Sequence, residues 1–313
     1  MEKQVFKKQD DCSGDKKTRC GFVALIGATN SGKSTLLNTI MATKISITSH
    51  KVQTTRNQVR GIKTNGNTQM VFIDTPGIFN PKGKFDRAMV SSAWSAMNDS
   101  DCVIFMLDAV KGITQTFDSI VKKLRTIKTP IALCLNKVDL IEKEKLLKLV
   151  SDIMNIADGL FAEVFMISAI NGDGLKELMG WVETQMPESP FFFDKDTKTD
   201  LPLELHLAEI TREKIYELLH HELPYSIAVK TESIEENEKS ISVKQVIYTT
   251  QENHKSIIIG AGGNKLKTIG IKAREEMSLL LNKKVNLFLF VKVKENWKET
   301  PDFFNDIGLE FKK

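Results

Sequence analysis

An octet near the start of the chain constrains its fold more than any other segment. Residues 27–34 read G-x-x-x-x-G-K-S and directly follow the apolar run from Phe22 to Ile26. After the octet, apolar side chains recur at helical spacing as far as Ala42. Glycines let backbone N–H groups surround phosphate oxygens, and a helix N-terminus adds its positive end. The octet therefore predicts a nucleotide phosphate loop, with an ordinary glycine turn as the alternative.

Two side chains of this loop have a chemical role. Lys33 is long enough to reach the terminal phosphates, and the Ser34 hydroxyl is placed to bind Mg2+. The predicted nucleotide contacts in this segment are Gly27, Ala28, Thr29, Asn30, Ser31, Gly32, Lys33, Ser34 and Thr35.

Apolar runs recur downstream and alternate with segments that suit helices. They span Met70 to Ile73, Cys102 to Leu107, Ile131 to Leu135 and Val164 to Ile167. Such alternation predicts an α/β domain whose mainly parallel sheet is covered on both faces. Ligands gather at the carboxyl ends of parallel strands, so functional residues should follow these runs.

A D-T-P-G motif directly follows the run from Met70 to Ile73. We expect Asp74 to hold Mg2+ through water and Gly77 to offer its N–H to a terminal phosphate, with Thr75 and Pro76 between them. An aspartate at a strand end is also an ordinary turn residue, which is the alternative for Asp74.

The residues after the last two runs predict a guanine site. Asp139 of the N-K-V-D motif can accept two hydrogen bonds, from guanine N1–H and the exocyclic amine, and adenine offers no such pair. Lys137 can lie along the base, and Asn136 can tie its own loop to the phosphate loop. After the last run, which ends at Ile167, the backbone N–H groups of Ser168, Ala169 and Ile170 are predicted to contact the base.

Together these motifs resemble the translation-factor-related GTPases over residues 20–187, and residues 45–60 resemble the effector loop of the Era family. In that family a threonine closes on Mg2+ and the terminal phosphate. Thr54 and Thr55 compete for this role, and we favour Thr55 because Arg56 follows it. The resemblance implies GTP and GDP as ligands. It implies Mg2+ held by Ser34, Thr55 and Asp74, and a catalytic set of Asn30, Lys33, Thr55, Asp74 and Gly77.

Ile78 stands where Ras-type enzymes carry the glutamine that orients water, so we expect slow intrinsic hydrolysis. Asn30 matches an asparagine that binds K+ in some relatives. K+-stimulated hydrolysis is therefore a hypothesis, and bracing of the phosphate loop is its alternative.

Residues 188–202 differ in character and predict a linker, because prolines and short polar residues surround three phenylalanines, Phe191 to Phe193. We expect the aromatic triple to pack on one domain rather than to stack on bases. Beyond it, a helical run from Glu209 to His221 precedes strand-like segments from Tyr225 to Lys230 and from Ser240 to Thr249.

A G-x-x-G turn follows the apolar end of a further helix. Glycines here let phosphates of single-stranded RNA approach the main chain, as in KH domains. A plain helix-turn-helix is the alternative, which flanking lysines and a final strand from Val285 to Val293 argue against. The predicted RNA contacts are Ile259, Gly260, Ala261, Gly262, Gly263, Lys265 and Lys267. Ala261 stands where Era proteins often carry lysine.

A GTPase domain followed by a KH domain resembles the Era family over nearly the whole chain. We therefore expect a P-loop α/β domain and then a smaller α+β KH domain of type II. The predicted division is a mobile arm over residues 1–19, a GTPase domain over 20–187, a linker over 188–202, and a KH domain with a C-terminal tail over 203–313. The resemblance implies binding of the 3′ end of 16S ribosomal RNA and a role in maturation of the 30S subunit.

Composition argues against a membrane-spanning or a secreted protein. With 41% hydrophobic and 27% charged residues and no apolar run of about 20 residues, the chain has no predicted membrane span or secretory leader. Cys102 and Cys134 lie in apolar runs, so we expect reduced, buried thiols in a cytoplasmic monomer. The net charge is +4, with a basic excess in the last 60 residues. An RNA-binding or chaperone module with GTP as a structural ligand remains an alternative, as does a GTPase peripheral to the inner face of the membrane.

Overall fold

The computed structural model describes residues 17–51, 54–81, 83–219, 226–295, 297 and 300. The predicted mobile arm falls almost wholly outside this set, as do Cys12, His220 and His221, and the predicted C-terminal tail beyond residue 300.

In the described part of the chain, the first domain is an α/β structure built on six strands. Its elements are β1 Arg19–Gly27, α1 Lys33–Met41, β2 Val59–Asn65, β3 Thr68–Asp74, α2 Lys84–Asn98, β4 Cys102–Asp108, α3 Phe117–Leu124, β5 Ile131–Asn136, α4 Lys143–Ala157, β6 Glu163–Ile167 and α5 Leu175–Gln185. The sheet order is β2-β3-β1-β4-β5-β6, and every neighbouring pair is parallel except β2 with β3. The prediction of a mainly parallel sheet is confirmed. The antiparallel edge strand β2 was not predicted.

Buried side chains cover both faces of this sheet. One core lies between the sheet and helices α1 and α5, and the other lies between the sheet and helices α3 and α4. All seven residues of β4 and all six of β5 are buried. Cys102 and Cys134 lie in these strands as free thiols, and burial raises the pKa of Cys102 to about 12. Because both layers of helices are present, the carboxyl ends of the strands form one open edge for a ligand.

The segment after α5 runs along the first domain. The Phe192 ring stacks on Phe22 with centroids 5.4 Å apart, and the N–H groups of Phe192 and Phe193 both donate to Gln69 Oε1 at 3.0 Å. The Ile62 N–H donates to the carbonyl of Lys198 at 2.8 Å. The ring of Phe192 thus packs on the first domain, as expected for this aromatic triple.

Among its described residues, the second domain is an α+β structure with three strands. Its elements are α6 Leu203–Leu218, β7 Ile227–Glu236, β8 Ser240–Thr249, α7 Glu252–Ile259, α8 Asn264–Leu281 and β9 Lys284–Val293. Strand β8 lies in the middle, antiparallel to β7 and parallel to β9. Helices α7 and α8 connect the two parallel strands, and their apolar sides pack on one face of the sheet. This α-β-β-α-α-β order is the predicted KH arrangement.

Candidate nucleotide and RNA sites

A left-handed glycine and hydrogen bonds from Lys33 fix the conformation of the phosphate loop. Gly32 has φ +99°, and a Cβ there would lie 2.1 Å from Asn136 Nδ2, so this position accepts glycine alone. Lys33 Nζ donates to the carbonyls of Gly27 at 3.2 Å and Ala28 at 2.9 Å. Burial lowers the pKa of Lys33 to about 8, although Asp74 opposes the shift. A phosphate bound here would restore the full charge of the ammonium group.

Three side chains predicted to hold Mg2+ lie in contact at the end of β3. Ser34 Oγ donates to Asp74 Oδ2 at 2.6 Å, and Thr55 Oγ1 lies 2.9 Å from Ser34 Oγ and 3.4 Å from Asp74 Oδ2. The hydroxyl of Thr54 instead donates to the carbonyl of Lys51. Of the two competing threonines, Thr55 is therefore the one that reaches the cluster.

The chemistry of this cluster fits a hard divalent cation. Asp74 is fully buried, and its Oδ1 has no hydrogen-bond partner in the described part of the chain. Burial raises the pKa of Asp74, while Lys33 and the neighbouring hydroxyls oppose the shift. A buried carboxylate beside hydroxyl oxygens is a donor set that Mg2+ prefers, and a cation would satisfy the unpaired oxygen.

Ser46 joins this cluster although sequence reasoning gave it no role. Its Oγ donates to Asp74 Oδ2 at 2.7 Å. Asn38 fixes the backbone there, because its Oδ1 accepts the N–H groups of Ile45 and Ser46, both at 2.9 Å. Serines and threonines fill the surrounding loop, so composition offered no signal that singled out Ser46.

The D-T-P-G motif is joined to the phosphate loop. Gly77 lies so close to Thr29 that a Cβ at Gly77 would be 2.7 Å from the Thr29 Cα. The Ile78 N–H donates to the carbonyl of Gly27 at 3.0 Å, and the Ile78 side chain is buried in the core. Thr75 donates to the carbonyl of Leu25 at 2.7 Å. Gly77 and Ile78 therefore lie in direct contact with the phosphate loop.

Asn30 connects the phosphate loop to the effector loop. Its backbone is left-handed at φ +63°, and its Nδ2 donates to the carbonyl of His50 at 2.7 Å. The asparagine thus braces the effector loop, which differs from the expected contact within its own loop. The K+ role of Asn30 stays a prediction.

Asn136 ties the guanine loops to the phosphate loop, as predicted. Its Nδ2 donates to the carbonyl of Ser31 at 2.8 Å, and its Oδ1 accepts the N–H of Ala169 at 2.9 Å. Lys137 Nζ pairs with Asp108 Oδ2 at 2.6 Å, which fixes the stem that is expected to line the base. Asp139 lies exposed in a 3-10 turn just after β5.

One prediction for the base site needs correction. The N–H of Ser168 donates to the carbonyl of Asp173 at 3.1 Å, and the N–H of Ala169 donates to Asn136. Both amides are already paired, because Asn136 and a tight turn hold this loop in place. Ile170, whose side chain is 76% exposed, follows as the next candidate donor.

The G-x-x-G turn presents backbone and lysines to solvent. Gly260, Gly262 and Gly263 have φ values of 75°, 59° and 78°, and a Cβ at Gly262 or Gly263 would meet nothing within 4 Å. Ala261, Lys265 and Lys267 are exposed around it, and Ile259 is half-buried. Lys265 and Lys267 have no ion pair within the described residues, so their charges are free for phosphates.

The effector loop lies directly against α6 of the second domain. The N–H of Thr48 donates to Glu213 Oε1 at 2.8 Å, and Lys44 Nζ pairs with the same carboxylate. Lys51 Nζ donates to the carbonyls of Tyr216 and Leu219 at the end of the helix. These contacts were not predicted, because they join segments about 165 residues apart.

Helix α2 makes a second contact between the domains. Phe85 and Met89 pack with Ala228 of β7 and with Trp297. This contact between the domains is apolar.

Comparisons with known proteins match both domains. A family model described as a 50S ribosome-binding GTPase matches residues 22–137, and one described as a KH domain matches residues 222–298. The GTPase Era of Sinorhizobium medicae is 46% identical over 98% of this chain and 98% of its own. The GTPase Era of Bradyrhizobium diazoefficiens is 47% identical over 95% of this chain and 96% of its own.

Solved structures agree over both domains. A crystal structure of Era in complex with MgGDPNP and nucleotides 1506–1542 of 16S ribosomal RNA matches with a TM-score of 0.90 at 37% identity. A variant of Aquifex aeolicus Era bound to GDP and AlF4− matches with a TM-score of 0.89 at 37% identity. Each match covers 94% of this chain and 100% of the other.

Among the described residues, no helix combines the length and the apolar character needed to cross a membrane. Sequence identity extends over nearly the whole chain, and the solved structures of relatives share its fold. The chain is a GTPase that belongs to the Era family.

Proposed function

We propose that this chain is a GTP-hydrolysing switch that binds the 3′ end of 16S ribosomal RNA through its KH domain and assists the assembly and maturation of the 30S subunit. The observation that carries the proposal is the convergence of Ser34, Asp74 and Thr55, because Thr55 belongs to an effector loop that also touches the KH domain. A relative with 37% identity holds MgGDPNP and 16S nucleotides together in one complex.

In the proposed GTP state, each group of the site has one task. Lys33 and the phosphate-loop amides neutralise the terminal phosphates, and Gly77 offers its N–H to the last of them. Ser34, Thr55 and Asp74 would hold Mg2+, which would supply positive charge to the phosphates. Asp139 selects guanine through its two acceptor oxygens. Loss of the terminal phosphate would release Thr55 and Gly77 from this arrangement.

Hydrolysis is expected to be slow without a partner or an additional cation. The side chain at position 78 is an isoleucine that packs in the core, so it cannot hydrogen-bond an attacking water. K+ near Asn30 would add positive charge to the phosphates, in the place of an arginine supplied by other GTPases. Equal turnover in K+ and in Na+ would exclude this part of the proposal.

RNA binding is assigned to the turn between α7 and α8. The positive-φ glycines leave room for phosphates against the backbone, and Lys265 and Lys267 add charge on the α8 side. Ala261 adds no charge to the turn, so these two lysines carry more of the phosphate attraction.

The proposal is tested by measuring RNA affinity in two nucleotide states. Fluorescence anisotropy with a labelled RNA of the 16S 3′ end is recorded with GDP and with GDPNP, and a scrambled RNA of equal length is the control. Nucleotide-dependent affinity for the native RNA alone supports the switch. Identical affinities would instead favour an RNA-binding module in which GTP is a structural ligand.

A ribosomal partner implies that the protein acts in the cytoplasm. Crosslinking in cells followed by sequencing of the bound RNA tests that partner, and absence of small-subunit ribosomal RNA from the product would refute the ribosomal role. Peripheral association with the inner face of the membrane has a separate test, co-sedimentation with anionic vesicles at physiological salt.

A further inference from the structure

The effector threonine is anchored by the KH domain on its N-terminal side. Arg212 of α6 donates from Nη2 to the carbonyl of Thr54 at 2.5 Å, one residue before Thr55. The same guanidinium donates to both carboxylate oxygens of Glu209, from Nε at 2.7 Å and from Nη2. Arg212 is 2% exposed, so its bond to Thr54 is shielded from water. A bidentate partner fixes the plane of the guanidinium and therefore the direction of this bond.

A second anchor lies on the C-terminal side of Thr55. Arg56 is also buried, and its Nη1 donates to the carbonyl of Ile227 at the start of β7, at 2.7 Å. Its Nη2 donates to the hydroxyl of Tyr216 on α6 at 3.1 Å. The Arg56 guanidinium also lies over the Phe85 ring, 5.7 Å from its centroid.

The two anchors differ in their electrostatics. Burial alone would lower the pKa of Arg212, but the Glu209 carboxylate outweighs it and the pKa is raised. Burial lowers the pKa of Arg56, although Tyr216 and Glu209 oppose the shift. Both contacts are charge-assisted because each donor is a guanidinium, and such hydrogen bonds are among the stronger ones in proteins. The two bonds to Glu209 additionally fix the orientation of Arg212.

We propose that Arg212 is a positioning residue for GTP hydrolysis, supplied by the KH domain to the nucleotide site. By holding the carbonyl of Thr54, it keeps the hydroxyl of Thr55 beside Ser34 and Asp74. Since the threonine is needed for the triphosphate state, Arg212 acts on GTP turnover and has little effect on GDP binding. The inference rests on the proposed GTP hydrolysis and adds that α6 belongs to its machinery.

A consequence follows for the coupling between the two sites. Helix α6 packs against α8, which begins at the G-x-x-G turn, with Leu207 and Ile210 in the same core as Ala273 and Met277. RNA that displaces α8 therefore has a mechanical route through α6 and Arg212 to Thr55. In the wild-type chain, saturating RNA should change the rate of GTP hydrolysis; without Arg212 this response should fall.

The test compares Arg212→Gln with Arg274→Gln in the full chain. Arg274 is an exposed arginine of α8 whose side chain makes no hydrogen bond or ion pair with the described residues, so it controls for loss of one positive charge. We expect Arg212→Gln to lower kcat for GTP at least tenfold and to raise the Mg2+ concentration for half-maximal turnover. GDP affinity should stay within threefold of wild type, and Arg274→Gln should match wild type in every measurement.

A second pair of variants guards against a folding defect. Arg212→Gln leaves the Glu209 carboxylate without its buried partner, so the double variant with Glu209→Gln removes both charges and should restore thermal stability without restoring kcat. Glu209→Gln alone keeps the bond to Thr54 but frees the guanidinium, and kcat should fall by an intermediate factor.

Two results would overturn the inference. One is a kcat for Arg212→Gln within twofold of wild type. The other is a parallel loss of GDP affinity and kcat in the double variant, which would make Arg212 a general structural residue. Failure of the wild-type chain to hydrolyse GTP at all would instead refute the proposed function, so the two failures are distinguishable.

Discussion

Asn136 supports the nucleotide site through two buried hydrogen bonds, and replacing it tests how far the site depends on contacts between loops. The side chain is 2% exposed and joins the Ser31 carbonyl to the Ala169 amide. In Asn136→Ala both partners lose their bond, and each buried unsatisfied group costs about 1–3 kcal/mol. With partial access of water to both groups, we expect a total of about 3 kcal/mol, or roughly a 100-fold loss of nucleotide affinity.

The assay is isothermal titration with GDP and with GDPNP, accompanied by thermal unfolding of the nucleotide-free protein. Asn155→Ala is the matched control, because Asn155 lies exposed on α4. Asn136→Asp separates the two bonds, since a carboxylate still accepts from Ala169 but repels the Ser31 carbonyl. A fall in affinity below threefold for Asn136→Ala would show that the loops hold their positions without it, and the reasoning would be wrong.

Other predictions follow from single groups of the two sites. Burial lowers the pKa of Lys33 to about 8 in the free protein, and bound phosphates would keep the amine protonated. GDP affinity should therefore be level below about pH 8 and fall above it, by up to about tenfold per pH unit. A GDP affinity that stays constant up to about pH 9.5 would contradict this. Gly77→Ala forces the D-T-P-G segment away from the phosphate loop and should lower kcat for GTP more than tenfold. Gly180→Ala is the control, because a Cβ there meets open space, and it should leave kcat unchanged. Phosphate release at fixed times measures kcat for both variants. Lys265→Gln and Lys267→Gln should each weaken RNA binding and lower the slope of log affinity against log salt by about 0.7, and an unchanged slope would remove that lysine from the RNA contact.

Most of the fold was predictable from local patterns. The apolar runs marked five strands, and the structure contains all of them with ends shifted by at most three residues. Strand β2 was missed because its sequence, Val59–Asn65, follows a polar effector loop and pairs only at an edge, where burial on both faces is not required. The family resemblance and the GTPase assignment are confirmed by relatives that span nearly the whole chain.

In the nucleotide site, the convergence of motif side chains was predicted correctly, whereas the pairing of backbone amides was not. Ser34 and Asp74 belong to motifs at strand ends, so spacing along the chain was enough to predict their roles. The place of Thr55 beside them was predicted from the resemblance to the Era effector loop. Their distances agree with this, at 2.6 to 3.4 Å. The amides of Ser168 and Ala169 were assigned to the base, but whether an amide is free depends on its neighbours in space.

Local sequence thus established the ligand class, the guanine preference and the presence of a KH turn, because each follows from a few adjacent residues with distinctive chemistry. Packing between segments that are distant along the chain determined which further side chains reach the nucleotide site. Ser46 reaches Asp74 only because Asn38 folds the loop back, and Arg212 meets Thr54 across 158 residues of chain. No periodicity records which loop faces which helix, since that is set by the apolar contact of Phe85 and Met89 with Ala228 and by the docking of the two domains.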